Sequence, residues 1–181
     1  MTRNAADPMH VIETGGLVLV PQTAAHAEEM YAVLSDPAIY EHENEPPASV
    51  EALRYRFAML ESRQSTDGQE QWLNWVIRLP TSKLAGYVQA SVDTTGGASI
   101  AYVLSSAYWG RGLASQAVQA MLEVLADHYH VRRVSAILKR HNVRSLRLLQ
   151  RLGFAGAPSG QASEHHLEPD ELLMVRQIDN V

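Results

Sequence analysis

The chain has no cysteine among its 181 residues. Disulfide bonds, a catalytic thiol and a cysteine-based zinc site are therefore excluded. Long apolar runs are absent too: no stretch approaches the ~20 residues with which a helix crosses a membrane, and the first residues lack the apolar segment of a secretory signal. These absences predict a cytoplasmic protein that does not bind a membrane, and we assign no metal site to it.

Positive charge is scarcer than negative charge. The chain has 15 lysines and arginines against 20 aspartates and glutamates, a formal net charge of −5. Such a chain is a poor general binder of nucleic acid and mildly favours cationic ligands such as amines. Its length suits one domain with a substantial core. We predict a flexible arm over residues 1–15 and a single domain over residues 16–181.

The most informative segment is residues 108–115, which read Tyr-Trp-Gly-Arg-Gly-Leu-Ala-Ser. It joins a strand-like run, residues 99–104, to a helical run, residues 114–129. Two glycines one residue apart allow a tight turn whose N–H groups point into one concavity. The first N–H groups of the helix and its dipole favour an anion there, and Arg111 adds a charge suited to phosphate. A plain turn with an exposed arginine is the alternative.

A second motif lies downstream at residues 142–154, which read Asn-Val-Arg-Ser-Leu-Arg-Leu-Leu-Gln-Arg-Leu-Gly-Phe. A strand-like run, residues 133–138, precedes it. Asn142 is a good N-cap residue, and Gly153 suits the position just after a short helix. The two segments together predict a strand, a glycine-rich turn, a helix, a second strand and a capped helix.

With both motifs in this order, the chain resembles the GCN5-related N-acetyltransferase (GNAT) superfamily, whose acetyl-CoA motif reads Gln/Arg-x-x-Gly-x-Gly/Ala. Gly112, Leu113 and Ala114 match the end of that motif, and Trp109 stands at the Gln/Arg position. The chain is most similar to the ribosomal-protein-alanine N-acetyltransferase branch, and the resemblance covers residues 16–154.

The resemblance implies a fold and an activity. The fold would be one α/β domain with a mixed, mostly antiparallel sheet, flanked by helices and splayed at the acetyl-CoA site between strands that end near Leu104 and Leu138. The domain over residues 16–181 would be an acetyl-CoA-dependent N-acetyltransferase. It would transfer acetyl to a primary amine, a protein N-terminus or a small molecule, by direct attack on the thioester. The oligomeric state stays open, with a homodimer as one candidate.

The resemblance also assigns the site. A backbone N–H of Val103 or Leu104 would face the thioester carbonyl, and Asn142 would support the pantetheine arm. Ser145 would protonate the leaving thiolate, because Leu149 stands where many relatives carry a tyrosine; a helix serine bonded back to a carbonyl is the alternative. The cosubstrate pyrophosphate would bind the backbone of Arg111, Gly112, Leu113, Ala114 and Ser115.

The general base is not evident from the sequence. Relatives often carry a glutamate on the strand before the turn, where this chain has Ser99. The replacement candidates by chain position are Glu70, Glu164, His165 and His166, and we assign the role to none of them.

Two further interpretations concern the acceptor and the class of protein. The acidic loop of residues 41–45 borders the acceptor pocket in the superfamily and would attract a cationic amine; a solvated loop without a binding role is the alternative. A catalytically silent acetyl-CoA-binding or regulatory domain is the competing function, because the usual acid and base positions have both changed. Other nucleotide-binding loops fit less well, since Gly-x-x-x-x-Gly-Lys-Ser/Thr is absent and no third glycine completes the dinucleotide pattern.

Overall fold

The computed structural model describes residues 9–42, 45–158, 160 and 165–178. Within these ranges the chain forms eight strands and four α-helices. The strands are β1 (Ile12–Glu13), β2 (Val18–Pro21), β3 (Glu70–Arg78), β4 (Leu84–Asp93), β5 (Gly97–Leu104), β6 (Arg133–Lys139), β7 (Ala155–Gly156) and β8 (Glu171–Gln177). The helices are α1 (Ala27–Leu34), α2 (Val50–Leu60), α3 (Leu113–Asp127) and α4 (Val143–Arg151).

The strands form one sheet in the order β1-β2-β3-β4-β5-β6-β8-β7. All neighbours are antiparallel except β5 and β6, whose parallel pairing stops after Ser99 and Ser135. Beyond that point β5 continues to Leu104 and β6 to Lys139 without pairing, so the sheet splays open between them. The predicted α/β fold, with a mixed and mostly antiparallel sheet splayed near Leu104 and Leu138, is confirmed.

Helices cover both faces of the sheet. Successive strand side chains point to opposite faces, so Val76 packs with α1 and α2 on one face, whereas Trp75 and Ile77 belong to the core on the other face. That second core includes Met121 and Leu125 of α3.

In the described ranges, no helix has the length and apolar character needed to cross a membrane.

Capping residues fix where the helices begin and end. The Ser49 hydroxyl accepts a hydrogen bond from the Ala52 N–H at 3.0 Å at the start of α2. Asn142 Oδ1 accepts one from the Ser145 N–H at 3.1 Å at the start of α4. Gly153, with φ of +81°, follows the C-cap residue of the same helix. The caps predicted at both ends of α4 are therefore present, and they set its position after β6.

The segment before β2 is part of the sheet where the structure describes it. Ile12 pairs with Leu19 of β2, and the Trp75 indole N–H donates to the His10 carbonyl oxygen at 3.0 Å. The arm predicted over residues 1–15 is thus held by pairing in its last third, and residues 1–8 lie outside the described residues.

Gly86 lies in β4 opposite Leu104, where β4 supports the end of β5. A Cβ on Gly86 would overlap the carbonyl oxygen of Val103. We therefore expect Gly86→Ala to lower the free energy of unfolding by ~1–3 kcal/mol, the usual cost of overpacking. Urea unfolding measures the loss. Gly15→Ala is the control, since a Cβ there has no atom within 4 Å, and equal midpoints for the two variants would contradict this account.

Candidate active site

The splay between β5 and β6 opens into a cleft of about 1120 Å³. A cleft of this size is in the range of cofactor and small-molecule sites. Its walls are the last residues of β5, the glycine-rich turn with the start of α3, the end of β6 with α4, and the region of α1 and α2. Residues from each wall include Leu34, Phe57, Tyr87, Tyr102, Ser115, Leu138 and Leu148.

The glycine-rich turn forms one end of the cleft. Gly110 and Gly112 have φ of +73° and +74°, a left-handed conformation that glycine adopts without steric cost. Because α3 begins directly after Gly112, the N–H groups of its first residues have no helical carbonyl to bond. Those residues, Leu113, Ala114 and Ser115, line the cleft. The turn therefore presents backbone donors to the cleft, and phosphate binding there stays a prediction.

Four arginines of the described ranges line the cleft, of which three lie on α4, one (Arg56) lies on α2, and none lies on the turn. The Arg111 side chain is exposed, lies 5.8 Å from the centre of the Tyr108 ring, and is not among the lining residues. Arg144, Arg147 and Arg151 do line the cleft, at a spacing that puts them on one helix face. These three arginines were not predicted as site residues, although their spacing in a capped helix already places them on one face.

The two residues expected to face the thioester, Val103 and Leu104, direct their backbone N–H groups to opposite sides of β5. The Ser105 N–H donates to the Ala85 carbonyl oxygen at 2.8 Å, beside β4, and alternate residues of a strand bond the same neighbour. Val103 therefore directs its N–H toward β4, whereas Leu104 directs its N–H into the splay. The pairing of β5 with β4 runs from Ala98 to Leu104 without a register shift, so this alternation continues to the end of the strand.

Ser145 lies in the first turn of α4 and faces β5 across the cleft. Its hydroxyl oxygen is 2.5 Å from the Tyr102 phenol oxygen, which also lies 3.4 Å from the Ser145 carbonyl oxygen. Asn142, Ser145 and Tyr102 all line the cleft, and Leu149 is buried one turn later. Tyr102, which was not predicted as a site residue, is the hydrogen-bond partner of the predicted acid.

A second contact holds the two walls together near the turn. The Trp109 indole N–H donates to the Leu104 carbonyl oxygen at 2.8 Å. The Arg144 guanidinium lies 3.5 Å from the centre of the Trp109 ring, and a cation–π contact of an exposed arginine contributes ~0.5–1 kcal/mol. The turn, the end of β5 and α4 are thereby held at a defined separation.

The other half of the cleft is formed by the segment between α1 and α2, with α2 and β4. The Tyr40 hydroxyl donates to the Leu34 carbonyl oxygen at 2.6 Å, and burial raises the pKa of Tyr40. His42 and Glu45 line the cleft, and both come from the loop predicted to border the acceptor pocket. The His42 ring meets the His141 ring edge-on at 5.3 Å between centres, which connects this loop to the residue before the α4 cap.

The general-base candidates named from chain position are not brought into the cleft. Glu70 is exposed and accepts a hydrogen bond from the Trp72 indole at 3.2 Å. His165 and His166 are exposed and are not lining residues, and Glu164 lies outside the described residues. Across the part of the chain that the structure describes, no group of three or more acidic, histidine or cysteine side chains could hold a metal ion.

Asp36 connects the two halves of the cleft. Its carboxylate accepts hydrogen bonds from the Ala38 N–H at 3.0 Å and the Ser106 N–H at 2.8 Å. Hydrogen bonding, led by the Ser106 side chain, lowers the pKa of Asp36 below its ordinary value of 3.8, against an opposing effect of burial. The segment after α1 is thereby attached to the segment that leads into the glycine-rich turn.

The sheet thus splays beside a cleft that is bordered by the backbone donors of the turn and by the Ser145 hydroxyl of the facing helix. The model of the acetyltransferase (GNAT) domain family matches residues 16–155 of this chain. The chain therefore belongs to the GNAT acetyltransferases, enzymes that use acetyl-CoA. The predicted family, enzyme class and cosubstrate are confirmed at that level.

Similar proteins also carry acetyltransferase names. The uncharacterized N-acetyltransferase p20 of Bacillus licheniformis is 26% identical over 149 residues, which cover 81% of this chain and 83% of that protein. RimL, a ribosomal L7/L12 α-N-protein acetyltransferase solved in complex with coenzyme A, has a TM-score of 0.78 at 20% identity and covers 94% of this chain and 99% of its own. The ribosomal-protein-S5-alanine acetyltransferase from Vibrio fischeri has a TM-score of 0.76 at 17% identity, covering 95% and 98%. The two structures establish the fold.

Asp36→Asn leaves one acceptor oxygen for two donors, so we expect a lower free energy of unfolding at neutral pH. A carboxyl group whose pKa is lowered in the folded state stabilises the fold when the pH is above the unfolded-state pKa. That stabilisation is lost as the pH falls through the folded-state pKa. The difference between wild type and variant should be full above pH 3.8 and shrink as the pH falls further. Urea unfolding across pH measures this difference.

The control for this prediction is Asp127→Asn, which removes an exposed carboxylate at the end of α3. We expect no comparable difference for the control at any pH. A difference for Asp36→Asn that persists unchanged into strong acid would contradict the role given to the Asp36 charge.

Proposed function

We propose that this protein transfers the acetyl group of acetyl-CoA to a primary amine, by direct attack of the amine on the thioester. The observation that carries the proposal is the set of hydrogen-bond donors that line one cleft. Its end presents the backbone donors of residues 113–115, and its walls carry the Leu104 N–H on β5 and the Ser145 hydroxyl on α4. A thioester between these walls would meet one donor for its carbonyl oxygen and another for its sulfur.

The cosubstrate follows the cleft from the turn to the splay in this proposal. Its pyrophosphate accepts hydrogen bonds from the backbone of residues 111–115 at the positive end of α3. The arginines of α4 add charge suited to phosphate oxygens. The pantetheine arm lies where β5 and β6 no longer pair, beside Asn142.

The reaction needs a neutral amine, an oxyanion donor and a proton for the sulfur. The amine nitrogen forms a bond to the carbonyl carbon, and the Leu104 N–H donates to the resulting oxyanion. The carbon–sulfur bond then breaks as Ser145 gives its proton to the sulfur. The substituted ammonium releases one proton to solvent and not to a specific base, and solvent returns one proton to the Ser145 oxygen.

The acceptor is a protein N-terminus or a small amine, and the first is the better candidate to test. His42, Glu45 and Arg56 line the acceptor half of the cleft. The Glu45 carboxylate favours a cationic amine, and the Arg56 guanidinium opposes that preference. Both solved relatives described above are named as ribosomal-protein N-terminal or alanine acetyltransferases. We place the reaction in the cytoplasm, with a homodimer as one candidate assembly.

A catalytically silent acetyl-CoA-binding domain is the second candidate. One observation favours it: Ser99 stands on β5 where relatives often carry a glutamate, and β5 has no carboxylate along its length. Such a domain would bind acetyl-CoA through the turn without turning it over.

The test measures CoA release from acetyl-CoA with two sets of acceptors, peptides with a free N-terminal alanine and small polyamines. Peptides with an acetylated N-terminus control for side-chain transfer. Calorimetry measures acetyl-CoA binding in parallel. Turnover with either set supports the enzyme, whereas binding without turnover on any acceptor supports the silent domain. A protein that does not bind acetyl-CoA contradicts both.

Gly112→Val places a branched side chain where the phosphates must approach the backbone. We expect acetyl-CoA to bind at least ~10-fold more weakly, about 1.4 kcal/mol, and Arg111→Ala to have a smaller effect because its side chain lies outside the cleft. Calorimetry measures both. Gly96→Val is the matched control, since Gly96 has a similar φ of +85° in a turn away from the cleft. Wild-type affinity in Gly112→Val would show that the phosphates bind elsewhere.

Ser145→Ala should lower kcat by ~10²–10⁴-fold, the usual contribution of general acid–base catalysis, with acetyl-CoA affinity nearly unchanged. Steady-state kinetics and calorimetry separate the two. Ser35→Ala is the control, because the Ser35 hydroxyl donates to the Tyr31 carbonyl oxygen at 2.7 Å at the end of α1. A Ser145→Ala variant that matches this control in kcat would assign Ser145 a structural role only.

A further inference from the structure

A short polar contact bridges the splay at the level where β5 and β6 have ceased to pair. The Tyr102 phenol oxygen and the Ser145 hydroxyl oxygen are 2.5 Å apart, at the short end of the range for O–H···O hydrogen bonds. Both residues are half-buried, and both line the cleft. The Tyr102 ring packs against the core beneath α3 and α4, so the phenol is held toward Ser145.

Serine by itself is a poor acid for a departing thiolate. An alcohol that loses its proton becomes an alkoxide, a much stronger base than the thiolate that took the proton. A phenol differs, because the ordinary pKa of tyrosine is ~10 and that of a thiol is ~8.5. Moving a proton from a phenol to a thiolate is therefore uphill by only ~1.5 pK units, provided that the serine passes the proton on.

We propose that Tyr102 is a positioning residue that acts through Ser145, so that a Tyr102–Ser145 relay protonates the departing sulfur. The inference rests on the acetyl transfer proposed above. As the carbon–sulfur bond breaks, its electron pair stays on the sulfur, Ser145 gives its proton to the sulfur, and Tyr102 gives its proton to the Ser145 oxygen. The substituted ammonium then releases a proton that returns through solvent to the Tyr102 phenolate. Both hydroxyl groups end as they began.

This balance needs no separate base for the proton that leaves the substituted ammonium. The attacking amine must already be neutral, and we assign its earlier loss of a proton to solvent. The proton that leaves the ammonium is the one that restores Tyr102, so the loss of the glutamate at Ser99 leaves the cycle complete. The relay uses two groups that the structure places in contact, and neither depends on the candidates Glu70, His165 or His166, which lie outside the cleft.

The direction of the hydrogen bond decides whether the relay works. When Tyr102 donates to the Ser145 hydroxyl oxygen, the serine proton is free to point into the cleft. In the opposite arrangement Ser145 donates to Tyr102, and Tyr102 donates to the Ser145 carbonyl oxygen at 3.4 Å. The serine proton would then point away from the sulfur. Removing the phenol oxygen slows the reaction in the first arrangement and leaves it unchanged or faster in the second.

Tyr102→Phe keeps the ring and removes the hydroxyl. We expect kcat to fall by ~10–100-fold, within the range of general acid–base effects, with acetyl-CoA affinity and melting temperature close to wild type. The double variant Tyr102→Phe/Ser145→Ala should be no slower than Ser145→Ala, because residues that act as a unit give non-additive losses. Tyr55→Phe is the control, since Tyr55 is 70% exposed on α2.

The pH dependence of kcat tests the relay, because a Tyr102 with only a structural role would not change it. Replacing Tyr102 with 3-fluorotyrosine keeps the hydroxyl and makes the phenol more acidic. Because the relay needs a protonated phenol, kcat falls as the pH rises through the phenol pKa, and the fluorinated residue should move that fall to lower pH. The same replacement at Tyr55 should leave the profile in place. This variant also decides the question if Tyr102→Phe does not fold.

The outcomes separate the relay from the reaction itself. Wild-type turnover in Tyr102→Phe, additive losses in the double variant, or an unmoved profile with fluorotyrosine would overturn the relay and leave the acetyltransferase proposal intact. A wild-type protein that binds acetyl-CoA and transfers acetyl to no acceptor would overturn both.

Discussion

The early end of the pairing between β5 and β6 is the constraint on which the site depends. Beyond Ser99 and Ser135 the facing edges of two strands carry backbone groups with no strand partner, and such groups need other partners when they are buried. The Trp109 indole N–H donates to the Leu104 carbonyl oxygen, and the Leu104 N–H is directed into the splay. The same geometry that breaks the ladder thus leaves a donor aimed into a cleft.

Local charge in the cleft differs from the charge of the whole protein. The chain is acidic overall, with a net charge of −5, which favours amines as acceptors. The cosubstrate is an anion, and its phosphates require the opposite sign. The structure supplies that sign locally, with the first N–H groups of α3 and the arginine face of α4. Among the described residues, four arginines and one carboxylate line the cleft, so it is locally basic in a chain that is acidic overall.

The elements that sequence analysis predicted well are those fixed by short-range physics. The glycine-rich turn follows from two residues that adopt positive φ without cost, and the start of α4 follows from the Asn142 cap. The general base could not be located in the same way, because chain position does not say which loops meet. Glu70 and His165 were candidates by position, and neither reaches the cleft, whereas His42 does.

The sequence alone determined the strand, turn, helix, strand and capped helix of residues 99–154, and the family. Only the tertiary structure decided that Tyr102 meets Ser145. These residues are 43 positions apart, and α3 and β6 lie between them in the chain. Their contact depends on how far β5 runs past its pairing with β6 and on where α4 begins after it. No local preference encodes that distance, because it is the sum of the sheet register, the splay and the packing of two helices.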